Sequence, residues 1–189
     1  MRKRDRYLLA EVLGLLAILF LLAVRTVDVA PIGPEGTSVG FARLNGAVAG
    51  AIGLNMTWYR ITQLLGYLAI LVAGVFALVG LGQCLRRRSL RKVDRRILAL
   101  AGLYAAVVAL YALFEVVVIN YRPVVMPGDL HPEPSFPSTH TMITCVVMGS
   151  AAMVLGHTVR NAGLRRVLQA ACAAVLVATV VGRLLSGVH

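Results

Sequence analysis

An all-α, polytopic membrane bundle is the architecture to expect from this chain, and three observations lead there. Apolar residues fill 59% of its 189 positions, with a mean hydropathy of +0.81, whereas soluble domains run about 45–50% apolar. Charged residues make up only 14%. The apolar residues also gather into five long stretches, each near the ~20 residues that cross a bilayer core.

Those stretches are residues 7–24, 61–85, 97–119, 141–159 and 168–185. The first follows the basic run "MRKRDR". It is long for a signal-peptide core and no clear A-x-A site follows, so it reads as a retained helix. Residues 28–57 connect it to the second stretch. Within that connection Phe41, Leu44, Val48 and Ile52 repeat at helical spacing, which predicts a short helix lying on the membrane interface. Asn55 opens an "NMT" glycosylation sequon, a match common by chance. Cys84, Cys145 and Cys172 lie in or beside apolar runs without metal-type spacing, and read as inert buried thiols.

The net charge is +11. In a soluble protein that would suggest nucleic acid. Here the basic residues form blocks between apolar stretches, which is a topology signal. "MRKRDR" carries four, residues 86–96 carry seven, and Arg160, Arg165 and Arg166 follow the fourth stretch. Five crossings put all three blocks on one side. The positive-inside rule makes that side cytoplasmic, in the cell's inner (plasma) membrane, and excludes a nucleic-acid partner for the basic loop. The other face then holds residues 28–57, residues 120–140 and the chain's end.

That outer face carries the chemistry. Arg122 follows the third stretch, "PSTHT" opens the fourth, and Arg183 and His189 close the fifth. Guanidinium is permanently charged and matches phosphate oxygens in pairs. Ser138 and Thr139 are suited to cap a helix starting near Thr141, where free N–H groups favour an anion. His140 can carry a proton near neutral pH, and a second histidine can attack phosphorus. This is the inventory of metal-free phosphate-ester cleavage. Arg183 and His189 are six residues apart and would not share a helix face, but Ser186-Gly187 can break the helix between them. His131 and Glu133, with Asp129, read as solvated loop surface rather than metal ligands. Glu11 in the first stretch has no assigned role.

The ordered pieces Glu115-x6-Arg122-Pro123, Pro137-Ser138-Thr139-His140 and Gly182-Arg183-x5-His189 resemble the type 2 phosphatidic acid phosphatase (PAP2) superfamily, in its bacterial branch. Its signature is K-x6-R-P, P-S-G-H and S-R-x5-H-x3-D. The resemblance implies a single domain over residues 1–189, built as a six-helix bundle with an extracytoplasmic site and no cofactor or metal. It implies a lipid phosphate as substrate, with phosphatidic acid, phosphatidylglycerol phosphate and undecaprenyl pyrophosphate equally eligible. By position, His189 would attack phosphorus to give a phosphohistidine and His140 would protonate the leaving oxygen. Arg122, Arg183, Ser138 and the Thr139 N–H would hold the phosphoryl oxygens.

The departures carry expectations of their own. Glu115 stands where a lysine is usual, and is expected to pair with Arg122 or to be a buried polar residue. Thr139 replaces glycine but keeps its N–H. Gly182 replaces serine and gives up a hydroxyl donor. The aspartate expected four residues after His189, and the sixth helix, lie beyond the last residue of the sequence. Loss of an orienting carboxylate costs about 10⁴ in rate in the serine-protease template. The expectation is therefore a truncated form of low activity. The alternative is a non-catalytic protein that binds or moves a lipid headgroup or phosphate in the same cationic pocket.

Overall fold

A computed structural model describes residues 3–122, 125 and 130–188. Six helices follow in order: α1 (Lys3–Thr26), α2 (Ala42–Ile52), α3 (Met56–Arg87), α4 (Arg95–Val116), α5 (Thr139–Thr158) and α6 (Ala162–Ser186). All but α2 are long and apolar enough to cross a membrane. The fold is the polytopic helical bundle expected from composition.

The boundaries shift for local reasons. α3 begins at Met56, five residues before the apolar stretch, because the Asn55 side chain accepts hydrogen bonds from the N–H groups of Thr57 and Trp58. Asn55 of the sequon is thus a helix cap. At about 1.5 Å per residue, the 32 residues of α3 are about 48 Å long, against roughly 30 Å of hydrocarbon. The helix is thus long enough to cross with turns to spare or with tilt. α4 ends at Val116 rather than at Ile119, with Val117 leaving helical geometry. Asp94 caps its start through Arg96 N–H. The short helix expected in this connection forms as α2, with Phe41 outside it as a left-handed N-cap at φ 50°.

α3, α5 and α6 pack against one another, and α4 lies against α3 and α5. Ala69, Val147 and Met148 form the buried centre, with Val72, Tyr104, Ile143, Cys172 and Leu176 around them. Many large apolar side chains on the outer helix faces stay exposed, as suits a bundle whose outer surface meets lipid. α1 stands apart. Residues 4–20 are exposed along its length, and it is fastened near its C-terminal end. There Phe20 stacks on Phe41 and tilts against Phe136, and Gly40 lies so close to Val24 that a Cβ would sit 1.7 Å from its carbonyl oxygen.

The two connections on this face are stitched together. Gly40 N–H donates to Asn120 Oδ1 at 2.9 Å, and Asn120 Nδ2 donates to Ser135 Oγ at 3.3 Å. Tyr121 and Pro134 form an antiparallel bridge, with Arg122 N–H donating to the Glu133 carbonyl at 2.9 Å. That bridge sets Glu133 directly opposite Arg122.

Candidate active site

Three separated pieces of chain meet at one end of the bundle. Arg122 arrives on the bridged segment after α4, His140 in the first turn of α5, and Arg183 in the last turn of α6. His140 lies within electrostatic range of both guanidinium groups, and the two guanidiniums act on each other. Neither arginine reaches out to lipid as a snorkelling anchor. Arg183 is 3% exposed and the Arg122 side chain 13%. His189 lies outside the described residues, as do Pro123 and Asp129.

Arg183 is held from α3. Its Nη2 donates to Gln63 Oε1 at 3.1 Å, and its guanidinium lies 5.2 Å from the centre of the Tyr59 ring. Gln63 Nε2 in turn donates to the Tyr59 hydroxyl at 3.2 Å. One guanidinium nitrogen is thus anchored. Nε and Nη1 of Arg183 are buried without an acceptor among the described residues, and so is Arg122 Nε. A buried donor left unpaired costs about 1–3 kcal/mol, more when charged.

α3 also shapes the space for His140. The imidazole packs against Gly66, where a Cβ would lie 2.5 Å from His140 Cδ2. Tyr59, Gln63 and Gly66 follow at i, i+4 and i+7, so one stripe of α3 forms a wall of the site. None of the three lies in the sequence motifs. Gln63 was the available signal: a polar residue inside an apolar stretch marks a functional position by default.

Ser138 is the N-cap of α5, which begins at Thr139, two residues earlier than expected. Its hydroxyl makes no capping bond and instead meets Thr141 Oγ1 at 3.2 Å. The expected side-chain cap is therefore absent, because Ser138 (φ −62°) turns its oxygen toward Thr141 rather than the helix N–H groups. Thr139 and His140 line a cavity of about 250 Å³ together with Tyr111, Glu115, Arg122, Glu133 and Pro134.

The acids divide differently from the sequence expectation. Arg122 pairs with Glu133, Nη1 to Oε2 at 2.8 Å, because the Tyr121–Pro134 bridge sets them side by side. Glu115 lines the same cavity, exposed rather than buried, and its charge acts on Tyr111. His131 lies 3.7 Å from Glu35 of the other connection.

Gly182 has a steric reason that sequence reading missed. A Cβ there would lie 2.6 Å from Thr62 Cγ2 and 3.2 Å from the Trp58 ring. The α3–α6 contact leaves no room for a serine without movement of Thr62, which is wholly buried. Past Ser186, Gly187 turns left-handed at φ 65° and ends α6, as the Ser-Gly pair predicts. A Cβ on Gly187 would lie 2.1 Å from the Gly53 carbonyl oxygen, and Asn55 N–H donates to Ser186 O at 3.0 Å. The end of α6 is thereby docked on the start of α3.

With this geometry in hand, one solved structure is informative. A transmembrane PAP2-type phosphatidylglycerolphosphate phosphatase from Bacillus subtilis superposes with a TM-score of 0.57, covering 91% of this chain and 82% of its own, at 18% identity. The chain has the transmembrane PAP2-type fold. No family model matches the sequence and no curated protein matches it. At 18% identity the PAP2-type likeness is one of backbone architecture.

Proposed function

We propose that this PAP2-type bundle is a membrane lipid-phosphate phosphatase, cleaving a phosphomonoester or pyrophosphate through a phosphohistidine at the extracytoplasmic face. The observation that carries the reading is the buried, half-anchored Arg183. It presents N–H groups that have no acceptor among the described residues, beside a second guanidinium and an imidazole. A phosphoryl group supplies the missing acceptors.

In this reading the acyl or prenyl tail stays in the bilayer and the phosphate enters the cup. Arg122 exchanges Glu133 for a phosphoryl oxygen, and Arg183 takes a second oxygen on Nε–H or Nη1–H. The Ser138 hydroxyl and the Thr139 N–H complete the cradle, and charge building on these oxygens is met by donors already in place. His189 attacks phosphorus. His140 gives its proton to the leaving oxygen, then takes one from the water that hydrolyses the phosphohistidine.

A second reading has its own support. Arg122 is neutralised by Glu133, and Glu115 brings another carboxylate to the cavity, which suits binding or movement of a headgroup without turnover. One experiment separates the two. Phosphate release from short-chain phosphatidic acid is followed in detergent with EDTA present, for the product of the full reading frame. Release that is lost in His140→Ala and His189→Ala supports the phosphatase. Saturable binding without release supports the carrier, and EDTA-sensitive release overturns the metal-free mechanism.

A further inference from the structure

At the end of the bundle opposite His140, α3 and α4 enclose a cavity of about 420 Å³ whose lining is almost wholly apolar. Phe76, Gly80, Leu81 and Cys84 supply one side, Ile97 and Ala101 the other. It is not a sealed void. Leu81, Leu90 and Leu98 on its lining are 54%, 68% and 40% exposed, so it opens sideways to the membrane.

The connection between the two helices roofs this cavity, and it is a built structure. Asp94 N–H donates to Gln83 Oε1 at 2.8 Å, Asp94 caps α4, and an Arg87 guanidinium nitrogen donates to the Lys92 carbonyl. Val93 is 5% exposed and points into the cavity with Leu90. The same few residues carry Arg86, Arg87, Arg88, Arg91, Lys92, Arg95 and Arg96, with Asp94 as the sole acid. On the far side of α4 a second cavity, of about 350 Å³, also has Arg96 at its edge, with His157.

An apolar slot open to the bilayer, directly beneath a fixed basic turn, has the two-part character of one class of molecule. We propose that this is a binding site for an anionic phospholipid of the leaflet the basic turn meets, with an acyl chain in the α3–α4 slot and the headgroup phosphate on the Arg86–Arg96 turn. Charge decides the occupant. A zwitterionic lipid fills the slot equally well, but its ammonium group offsets the attraction of its phosphate to the basic turn, whereas an anionic headgroup keeps a net negative charge that the cations favour. The site is independent of the chemistry at the other end of the bundle.

Trp58 is the single tryptophan, so a reporter can be moved. Phe76→Trp in a Trp58→Phe background is placed in nanodiscs containing chain-brominated phosphatidylglycerol or chain-brominated phosphatidylcholine at equal mole fraction. The expected result is severalfold stronger quenching by phosphatidylglycerol. Arg91→Gln with Arg95→Gln, which leaves the other five basic residues as topology signals, is expected to equalise the two lipids. Ala101→Phe is expected to reduce quenching by both. Native mass spectrometry of the unaltered chain gives a second measurement, with retained phosphatidylglycerol expected and lost in the double variant. Equal quenching by the two lipids in the reporter chain overturns the proposal. So does unchanged retention in the double variant, or a dimer that excludes lipid from the slot.

Discussion

Arg122 and Glu133 pair at 2.8 Å in the candidate site, and in the proposed reaction an incoming phosphate displaces Glu133. Glu133 is partly exposed, so the pair contributes on the order of 1 kcal/mol. Glu133→Gln is therefore expected to tighten competitive inhibition by inorganic phosphate severalfold, read as a lower inhibition constant. Unchanged inhibition would mean that Arg122 does not meet the anion. Gly66 tests the other wall. Gly66→Ala drives a methyl to 2.5 Å from the His140 ring, and overpacking of this kind typically costs 1–3 kcal/mol. Turnover should fall while the solubilised protein keeps its helical circular dichroism. Wild-type turnover in that variant would show that the imidazole does not work from this position.

Among the helices, α3 contributes most to the site while carrying none of its sequence motifs. Gln63 and Tyr59 hold Arg183 through Nη2 and the guanidinium face, and Nε and Nη1 have no acceptor among the described residues. Gln63→Ala removes that anchor, and a reduction in kcat of about tenfold, or 1.4 kcal/mol, is expected with little change in KM. A fall in thermal stability with full activity would make the pair purely structural. The junction of α6 with α3 rests on Gly187, left-handed and pressed on Gly53. Gly187→Ala combines strained backbone with a steric clash. It should lower the unfolding temperature in detergent by several degrees and loosen the segment that leads to His189. Thermal unfolding indistinguishable from the parent would count against a tight junction.

For the molecule in its membrane, the basic blocks predict that residues 86–96 face the cytoplasm and the site end faces out. In a cysteine-free background, Ser89→Cys should be protected from a membrane-impermeant maleimide in intact cells. Leu130→Cys, at a position 88% exposed on the site side, should be labelled. The opposite pattern would invert the proposed topology. α1 is fastened to the bundle near its C-terminal end while its long apolar surface stays open, so the site's architecture rests on α3 to α6.

Helix number, apolar character and the order of the polar pieces were legible in the chain, because a bilayer forces about 20 consecutive apolar residues on every crossing helix and confines strong polarity to its ends. Phe41, Leu44, Val48 and Ile52 likewise announced α2 through local periodicity. Convergence was not legible. That Arg183 is buried against Tyr59 and Gln63 and that Gly182 is glycine because Thr62 needs the room are contacts between helices, and that Arg122 takes Glu133 rather than Glu115 is set by the folding of the α4–α5 connection on itself. Sequence spacing reports which residues share one helix face. Which faces then meet is set by side-chain packing across the bundle, and no single segment contains that information.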